Sequence, residues 1–444
     1  MKKFFGTDGI RGVAGEDPLD RATVYAVGLA LGDDLGAGAR VVLGEDTRES
    51  SSWIAAMLVA GLRQRHIEVA HAGVLPTPAV AHLARSDGFA AGVMISASHN
   101  PYQDNGIKIF GGSGYKLPDD EEAAIERAIL GYRERPPAQA SAPRLEHDAT
   151  LREHYVAALA QRFAATDFSR LKLVVDCAHG AASAVAAEVF LRLGVQAKIT
   201  ADRPDGRNIN AGVGALHPAA LGEAVRKMGA DAGVALDGDA DRAILVDAQG
   251  EVVNGDCVLL MMARELAATA HLKPAVVVGT VMTNLGLEHA LAAEGIELVR
   301  AAVGDKYVLE AMSERGARLG GEPSGHIIFL DEATTGDGLL TALHAFDLMA
   351  RRGKSLRALC EGWREMPQLI VNVRVARKSP LEELDAVQAA IREAEAHFAG
   401  SGRVLVRYSG TEKLARVMVE AASASAVERH ANAIAAALRQ SLGE

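Results

Sequence analysis

Three aspartates spaced two apart carry the clearest chemical signal in this chain. Asp237, Asp239 and Asp241 lie in "LDGDADR", directly after the apolar run "AGVAL". In an extended segment such residues face one way. Carboxylates crowded at the end of a buried strand repel unless a cation sits among them. Hard oxygen ligands select Mg²⁺. The spacing also opens an EF-hand loop, but that reading fails because the sixth position is Arg242 and the twelfth is Ala248. The plain alternative is a solvated turn. Arg242 beside the carboxylates points to an anionic further ligand, and a phosphate fits.

Ser98 is the candidate nucleophile, in "GVMISASHNPYQDNGIKIF" (92–110). Adjacent residues of an extended chain point opposite ways, so His99 is expected to be poorly placed to deprotonate Ser98. The stretch is not G-x-S-x-G, which argues against the nucleophile elbow of α/β-hydrolases. Ser-His-Asn-Pro is also good turn chemistry. Lys108 follows on an expected return strand. It is either the exposed position of an alternating strand or a general acid/base, because burial and neighbouring positive charge lower a lysine pKa.

Three further loops carry ligand chemistry. In "VRYSGTEKLAR" (406–416), Arg407, Ser409, Gly410 and Thr411 offer a guanidinium, hydroxyls and backbone N–H groups to a phosphate, with Lys413 and Arg416 nearby. In "GGEPSGHIIF" (320–329), Glu322 and Ser324 are suited to sugar hydroxyls, and His326 reads as a packed histidine. In "FGTDGIRG" (5–12), Arg11 is a candidate phosphate contact, and the glycines are not G-x-G-x-x-G, so a Rossmann reading fails. Each loop taken alone is also an ordinary turn.

These loops require strands that stop abruptly and helices that pack behind them. Short β-rich runs recur before Gly, Asp or Ser: 39–48, 90–96, 171–180, 230–242 and 274–281. Helices are expected at 51–65, 181–193 and 284–294, which makes α/β units with ligand loops at the carboxyl ends of strands. Aromatics are only 4% of the 444 residues, so the core must be aliphatic. A proline- and charge-rich stretch at 131–149 reads as a linker, and the turn "DAQGEVVNGD" (247–256) as a weaker boundary. From 369 onward an alternating strand, a helix over 380–398, two more strands and a last helix form an α+β unit. That last helix is expected to start at a capping box, Ser425 to Glu428.

The totals exclude several classes. The net charge is −10 with no basic block, which argues against nucleic acid as a partner. Cys177, Cys257 and Cys360 are far apart, which fits neither a zinc motif nor a disulfide framework and suits a reducing cytoplasm. "MKKFFGTDGIRG" lacks the apolar core of a signal peptide, and no apolar run is long enough to cross a membrane.

Taken together, "FGTDGIRG", "ISASHNP", "LDGDADR", "GEPSGHIIFLDEATTGDGLLTAL" and "VRYSGTEKLARVMVEA" resemble, in this order and over the whole chain, the α-D-phosphohexomutase superfamily. "RPDGRNINAGVGALHP" (203–218) and "VGDKYVLE" (303–310) resemble its phosphoglucosamine branch. The resemblance implies an α/β protein of four domains around a central cleft: 1–150 with the phosphoserine loop, 151–250 with the metal loop, 251–366 with the sugar loop, and 367–444 with the phosphate loop. The first three would share a topology, and the last would be a smaller α+β domain of the TATA-box-binding-protein-like kind.

The activity implied is the interconversion of glucosamine 6-phosphate and glucosamine 1-phosphate, on the way to UDP-N-acetylglucosamine and the cell wall. The alternative is glucose or mannose phosphates. Ser98 would be phosphorylated, would pass its phosphoryl group to the sugar and would take the other one back. A hexose 1,6-bisphosphate would be both intermediate and primer. One Mg²⁺ would be held by Asp237, Asp239, Asp241 and phosphorylated Ser98. Arg11 and His99 would contact the phosphoserine side, Lys108 would move protons, Glu322 and Ser324 would read the sugar, and Arg407, Ser409, Gly410 and Thr411 would hold the non-transferring phosphate. The last domain would close over the cleft, and a cytoplasmic homodimer is implied. The branch usually has Gln at Pro323, Pro at Tyr408 and at Lys413, and Cys and Thr at Val213 and Leu216. A serine esterase or phosphatase, or a non-catalytic sugar-phosphate binder, is the competing class.

Overall fold

A computed structural model describes residues 4–6, 8–135, 141–409 and 413–443. Thr7, Gly410 and Thr411 lie outside the described residues. By internal contacts the chain divides into one unit of 1–282 with 298–361 and another of 283–297 with 362–444.

The first unit repeats one small sheet three times. The first sheet contains β1 (Phe5–Gly6), β2 (Gly9–Val13), β3 (Arg40–Glu45), β4 (Glu68–Val74), β5 (Ala91–Ile95) and β6 (Asp104–Gly111), in the order β1-β2-β6-β5-β3-β4. The second contains β7 (Lys172–Asp176), β8 (Gln196–Thr200), β9 (Ala232–Leu236), β10 (Ala243–Asp247) and β11 (Val252–Val253), in the order β11-β10-β9-β7-β8. The third contains β12 (Val276–Thr280), β13 (Glu297–Ala301), β14 (Leu319–Gly321) and β15 (Ile327–Phe329), in the order β13-β12-β14-β15.

Numbering the four shared strands of each repeat from one to four gives the same spatial order, 4-3-1-2, each time. The third strand lies parallel to the first and turns back through a hairpin into an antiparallel fourth. That hairpin carries Ser98 in the first sheet, the aspartates in the second, and Glu322 with Ser324 in the third. The third strands AGVMI, AGVAL and LGG are buried throughout, as strands packed on both faces must be.

Each sheet keeps its own aliphatic core. Val41, Leu43, Val93 and Ile107 pack with Leu29, Ile54 and Leu58 in the first. Val174, Ala235 and Val246 pack with Leu221 and Val225 in the second. Val278 and Ile328 pack with Val308 and Met312 in the third. The turn at 247–252 joins β10 to β11, so the second sheet runs on to Val253. "FGTDGIRG", read above as a loop, itself supplies β1 and most of β2.

The second unit holds a three-stranded antiparallel sheet of β16 (Gln368–Arg374), β17 (Gly402–Tyr408) and β18 (Leu414–Ala421), in the order β16-β18-β17. The helices Asp385–Phe398 and Ala424–Leu442 belong to the same unit, and Val417, Val419, Val427, Ile434 and Leu438 share its core. The last helix does not start at a Ser425 capping box. Its N-cap is Ser423, whose side chain accepts from the Ala426 N–H, and Ser425 lies inside the helix. Two serines two residues apart are both acceptable caps, and the helix starts from the earlier one.

Candidate active site

The Ser98 loop is held by a buried polar frame. Asp46, after β3, accepts from the Ser96 and Ser51 hydroxyls at 2.7 and 2.8 Å and pairs with the Arg48 guanidinium at 2.8 Å. Arg48 donates to the carbonyls of Ser98 and Asn100, both at 2.9 Å, and of Asp104 at 3.0 Å. Asn210, from the second repeat, also donates to the Ser98 carbonyl at 2.9 Å. With its donors and acceptors occupied, such a frame fixes one loop conformation.

Within that frame Ser98 has φ +53°, a left-handed backbone that serine rarely adopts. This overturns the expectation that His99 points away: the chain is not extended at Ser98, and His99 Nδ1 stands 3.2 Å from Ser98 Oγ. Burial first, then the charges of Arg242 and Arg11, lowers the His99 pKa to about 4. Ser98 Oγ donates to Asp237 Oδ2 at 2.6 Å, so the first and second hairpins meet at the reactive hydroxyl.

Asp237, Asp239 and Asp241 each present an oxygen within 4.8 Å of the others, all buried. They converge for a reason other than the one expected. Residues 237–242 form a tight turn, not an extended strand, and Ala240 has φ +58°. Gly238 makes the approach possible: a Cβ there would lie 2.5 Å from the Ser98 carbonyl oxygen. Burial and then the charges of Asp241 and Asp239 push the Asp237 carboxyl well above the usual range. Asp241 moves the other way: burial raises it, but Lys108 leads the positive groups that more than offset this. Asp239 Oδ1 and Asp241 Oδ1 are buried without a hydrogen-bond partner among the described residues. Two orphaned carboxylate oxygens inside a crowded anionic set fit a hard divalent cation.

Lys108, on β6, is 1% exposed, so it is not the solvent-facing position of an alternating strand. Its Nζ lies 2.7 Å from Asp239, 3.0 Å from Asp8 and 3.4 Å from Asp241. Burial pulls its pKa down, but these carboxylates outweigh burial and hold it well above the ordinary value. The expected lowering is therefore reversed, because an anionic shell drawn from other loops outweighs burial. Thr77 adds a hydroxyl to Asp239 at 2.5 Å.

A cavity of about 370 Å³ opens beside this cluster, within the size range of small-molecule sites. Arg11, His99, Asp241, Arg242, Glu322 and His326 line it, together with Asp8 and Asp305. Glu322 accepts from the Gly304 N–H at 3.1 Å and from the Ser324 hydroxyl at 3.2 Å. His326 is buried, accepts from the Gly336 N–H at 3.0 Å, and stands 3.6 Å from Asp241. Asp8, bonded to Arg11 and Lys116, and Asp305, also bonded to Lys116, were not singled out from the sequence. The "TDG" and "VGDK" contexts were the only available signal.

The remaining candidates belong to the second unit. Arg407 on β17 faces Arg416 on β18 in register, and burial followed by the Arg416 charge lowers the Arg407 pKa. The Ser409 N–H donates to the Leu414 carbonyl at 2.8 Å, and the Ser409 carbonyl accepts from Lys378 at 2.6 Å. Tyr408 donates to the Ser379 carbonyl at 2.6 Å, which gives that departure a structural task. Gly410 and Thr411 fall outside the described residues.

The chain matches known proteins over nearly its whole length. Residues 2–136, 153–250, 254–366 and 370–437 match, in turn, phosphoglucomutase/phosphomannomutase alpha/beta/alpha domains I, II and III and the C-terminal domain. The chain is 52% identical to a phosphoglucosamine mutase of Koribacter versatilis, covering 100% of this chain and 98% of that one. It is 50% identical to a phosphoglucosamine mutase of Solibacter usitatus, covering 100% of both. A solved phosphoglucomutase/phosphomannomutase family protein of Burkholderia thailandensis aligns with a TM-score of 0.80 at 26% identity, over 98% of this chain and 97% of that one. The N-acetylphosphoglucosamine mutase of Aspergillus fumigatus, solved with GlcNAc-6P and magnesium, shares the fold with a TM-score of 0.67 at 21% identity, over 99% and 96% of the two chains. Four consecutive domain matches, three sheets of one topology and near-complete coverage by its relatives agree: the chain belongs to the α-D-phosphohexomutase family of phosphoglucomutases and phosphomannomutases.

Proposed function

We propose that this chain is an isomerase with phosphoglucosamine mutase activity, interconverting glucosamine 6-phosphate and glucosamine 1-phosphate through a phosphorylated Ser98 and a bound 1,6-bisphosphate. The observation that carries the proposal is the meeting of Ser98 Oγ with Asp237 Oδ2 at 2.6 Å, beside two orphaned carboxylate oxygens and a buried lysine. The relatives at about half identity bear the same activity in their names.

In the forward half-reaction the sugar O1 hydroxyl attacks phosphorus. The Ser98 Oγ–P bond breaks, the O1–P bond forms, and the hydroxyl proton ends on Ser98 Oγ. Lys108 is the residue assigned to relay that proton, and its contacts with Asp239, Asp8 and Asp241 hold it beside the reacting loop. Asp237 then accepts the restored hydroxyl. Arg11, His99 and Arg242 line the cavity with groups that bind the phosphoryl oxygens. Glu322 and Ser324 present a carboxylate and a hydroxyl to the sugar, and the glucosamine amine suits Glu322. Arg407, Ser409, Gly410 and Thr411 are assigned the non-transferring phosphate, to which a guanidinium and hydroxyls are suited. Asp237, Asp239 and Asp241 would hold Mg²⁺, which supplies charge neutralisation to the transferring phosphoryl group. The bisphosphate must turn over before the second half-reaction returns the 6-phosphoryl group to Ser98.

Phosphate monoesters resist cleavage so strongly that about 20 kcal/mol of transition-state stabilisation is required, which explains why so many charges are buried in one place. Phosphorus NMR of the protein with Mg²⁺ and a trace of glucose 1,6-bisphosphate tests the reading. The 6-phosphates of glucosamine, glucose, mannose and N-acetylglucosamine are compared, with Ser98→Ala alongside. The highest kcat/KM is expected for glucosamine 6-phosphate, with strict dependence on Ser98. Preference for glucose or mannose keeps the mechanism and replaces the substrate. Free phosphate from every sugar removes the mutase reading.

A further inference from the structure

Outside the catalytic cluster, a second set of ligand-bearing side chains gathers in the first repeat. Glu45 is the last residue of β3, His71 lies on the neighbouring strand β4, and His147 lies just before the helix Ala149–Arg162. One oxygen of Glu45 and one nitrogen of each histidine all lie within 4.8 Å of one another. We propose that Glu45, His71 and His147 form a binding site for a divalent transition-metal ion of the Zn²⁺ class, distinct from the aspartate triad.

The backbone is shaped around this set. The β3–β4 ladder pairs Leu43 with His71 and then Gly44 with Gly73, so Ala72 is left without a partner. Such irregularities re-aim side chains, and they gather at sites. The His71 carbonyl accepts from the Asp148 N–H at 2.8 Å, which pins the crossing that carries His147 onto β4. Gly73 makes room: a Cβ there would lie 2.4 Å from His147 Nδ1.

The polar atoms in this pocket lack partners. His71 is 5% exposed, yet neither of its ring nitrogens has a hydrogen bond among the described residues, and Glu45 Oε2 is buried and equally unpaired. His71 Nε2 and Glu45 Oε1 stand 3.7 Å apart, too far for a hydrogen bond. The two imidazole rings meet edge-on with centroids 4.7 Å apart. Buried polar atoms are normally paired, so the unpaired Glu45 oxygen and His71 ring nitrogens call for a missing partner. Two imidazoles and one carboxylate select zinc over magnesium and leave a fourth position open. A bound ion would tie the first sheet to the crossing that leads into the second repeat.

The whole chain, stripped with chelator and returned to excess Mg²⁺, is titrated with Zn²⁺ by calorimetry and with Co²⁺ by visible absorption. One equivalent is expected, with the intense Co²⁺ bands of a low-coordinate site. His147→Gln, at an exposed position, and His71→Gln should each weaken binding by about tenfold or more, and Asp239→Asn should retain the equivalent. The proposal is overturned if the parent chain binds no Zn²⁺ under these conditions, if folded His147→Gln keeps full affinity, or if Asp239→Asn loses the equivalent and so places the ion on the triad.

Discussion

The hairpin of the first two repeats and the hairpin of the third occupy the same place in the same small sheet, yet they are built to different tolerances. Residues 96–103 and 237–242 use non-glycine residues in left-handed backbone, Ser98 at φ +53° and Ala240 at φ +58°. They are tied to each other by Ser98–Asp237, and Asn210 braces the first through the Ser98 carbonyl. Residues 322–326 place a glycine, Gly325, at φ +90°, and Glu322 is braced by its own neighbours Ser324 and Gly304. Left-handed backbone at a non-glycine residue costs on the order of 1–3 kcal/mol, a cost borne by the two hairpins assigned bond making and breaking and not by the third. The comparison teaches that one topology can hold a rigid reacting pair and a separate reading loop, with the difference written into loop residues.

The largest effect expected is on chemistry in the first hairpin. Ser98→Ala should lower turnover by at least about 10³-fold while leaving the thermal midpoint nearly unchanged, as read by phosphorus NMR and calorimetry. A variant that keeps a tenth of the activity would dissolve the distinction between reacting and reading loops.

Next is a pH effect behind the third hairpin. Asp337 caps the helix Gly338–Arg352 and accepts from Tyr155, and burial raises its carboxyl from the ordinary 3.8 to about 6. The folded state therefore binds the proton more tightly than the unfolded chain. Its contribution is fully present below about pH 4, falls as pH rises towards 6, and is flat above, by up to about 3 kcal/mol. Urea unfolding across this window should show the parent losing stability relative to Asp337→Asn as pH rises from about 4 to 6, by up to about 3 kcal/mol; parallel curves refute the assignment.

Gly238→Ala sharpens the contrast further. A methyl group 2.5 Å from the Ser98 carbonyl must separate the first two hairpins, costing about 1–3 kcal/mol of stability and also lowering turnover. Loss of stability alone would show that the close approach serves packing only.

The smallest effect belongs to the reading loop. Glu322→Gln should shift the ratio of kcat/KM between glucosamine and glucose 6-phosphates by roughly tenfold. Labelling of Ser98 by the bisphosphate should persist. Equal losses on both sugars would place Glu322 in the chemistry instead.

Much of this site was legible in residue types. The aspartate spacing, Ser98 after an apolar run, Lys108 and the "GEPSGH" turn all carry local signatures, because strand period and turn chemistry act within a few residues. The apolar runs at 39–48, 90–96, 171–180, 230–242 and 274–281, with helical patterns between them, were enough to expect α/β units. Local signatures fail where geometry depends on distant packing. Residues 237–242 and the Ser98 loop, expected to be extended, are turned by left-handed residues. Burial by itself would lower the Lys108 pKa, and three carboxylates from other loops reverse that.

What the sequence determined by itself was therefore which residue types sit at the carboxyl ends of which strands. What only the tertiary structure decided was their company: Ser98 with Asp237 across 139 positions, Lys108 with Asp239 across 131, and Lys116 with Asp305 across 189. The physical reason is that separate sheets, each closing its own aliphatic core, set these distances through packing. No local propensity acts over such a span, and the loop-closure entropy is repaid only once the cores have formed.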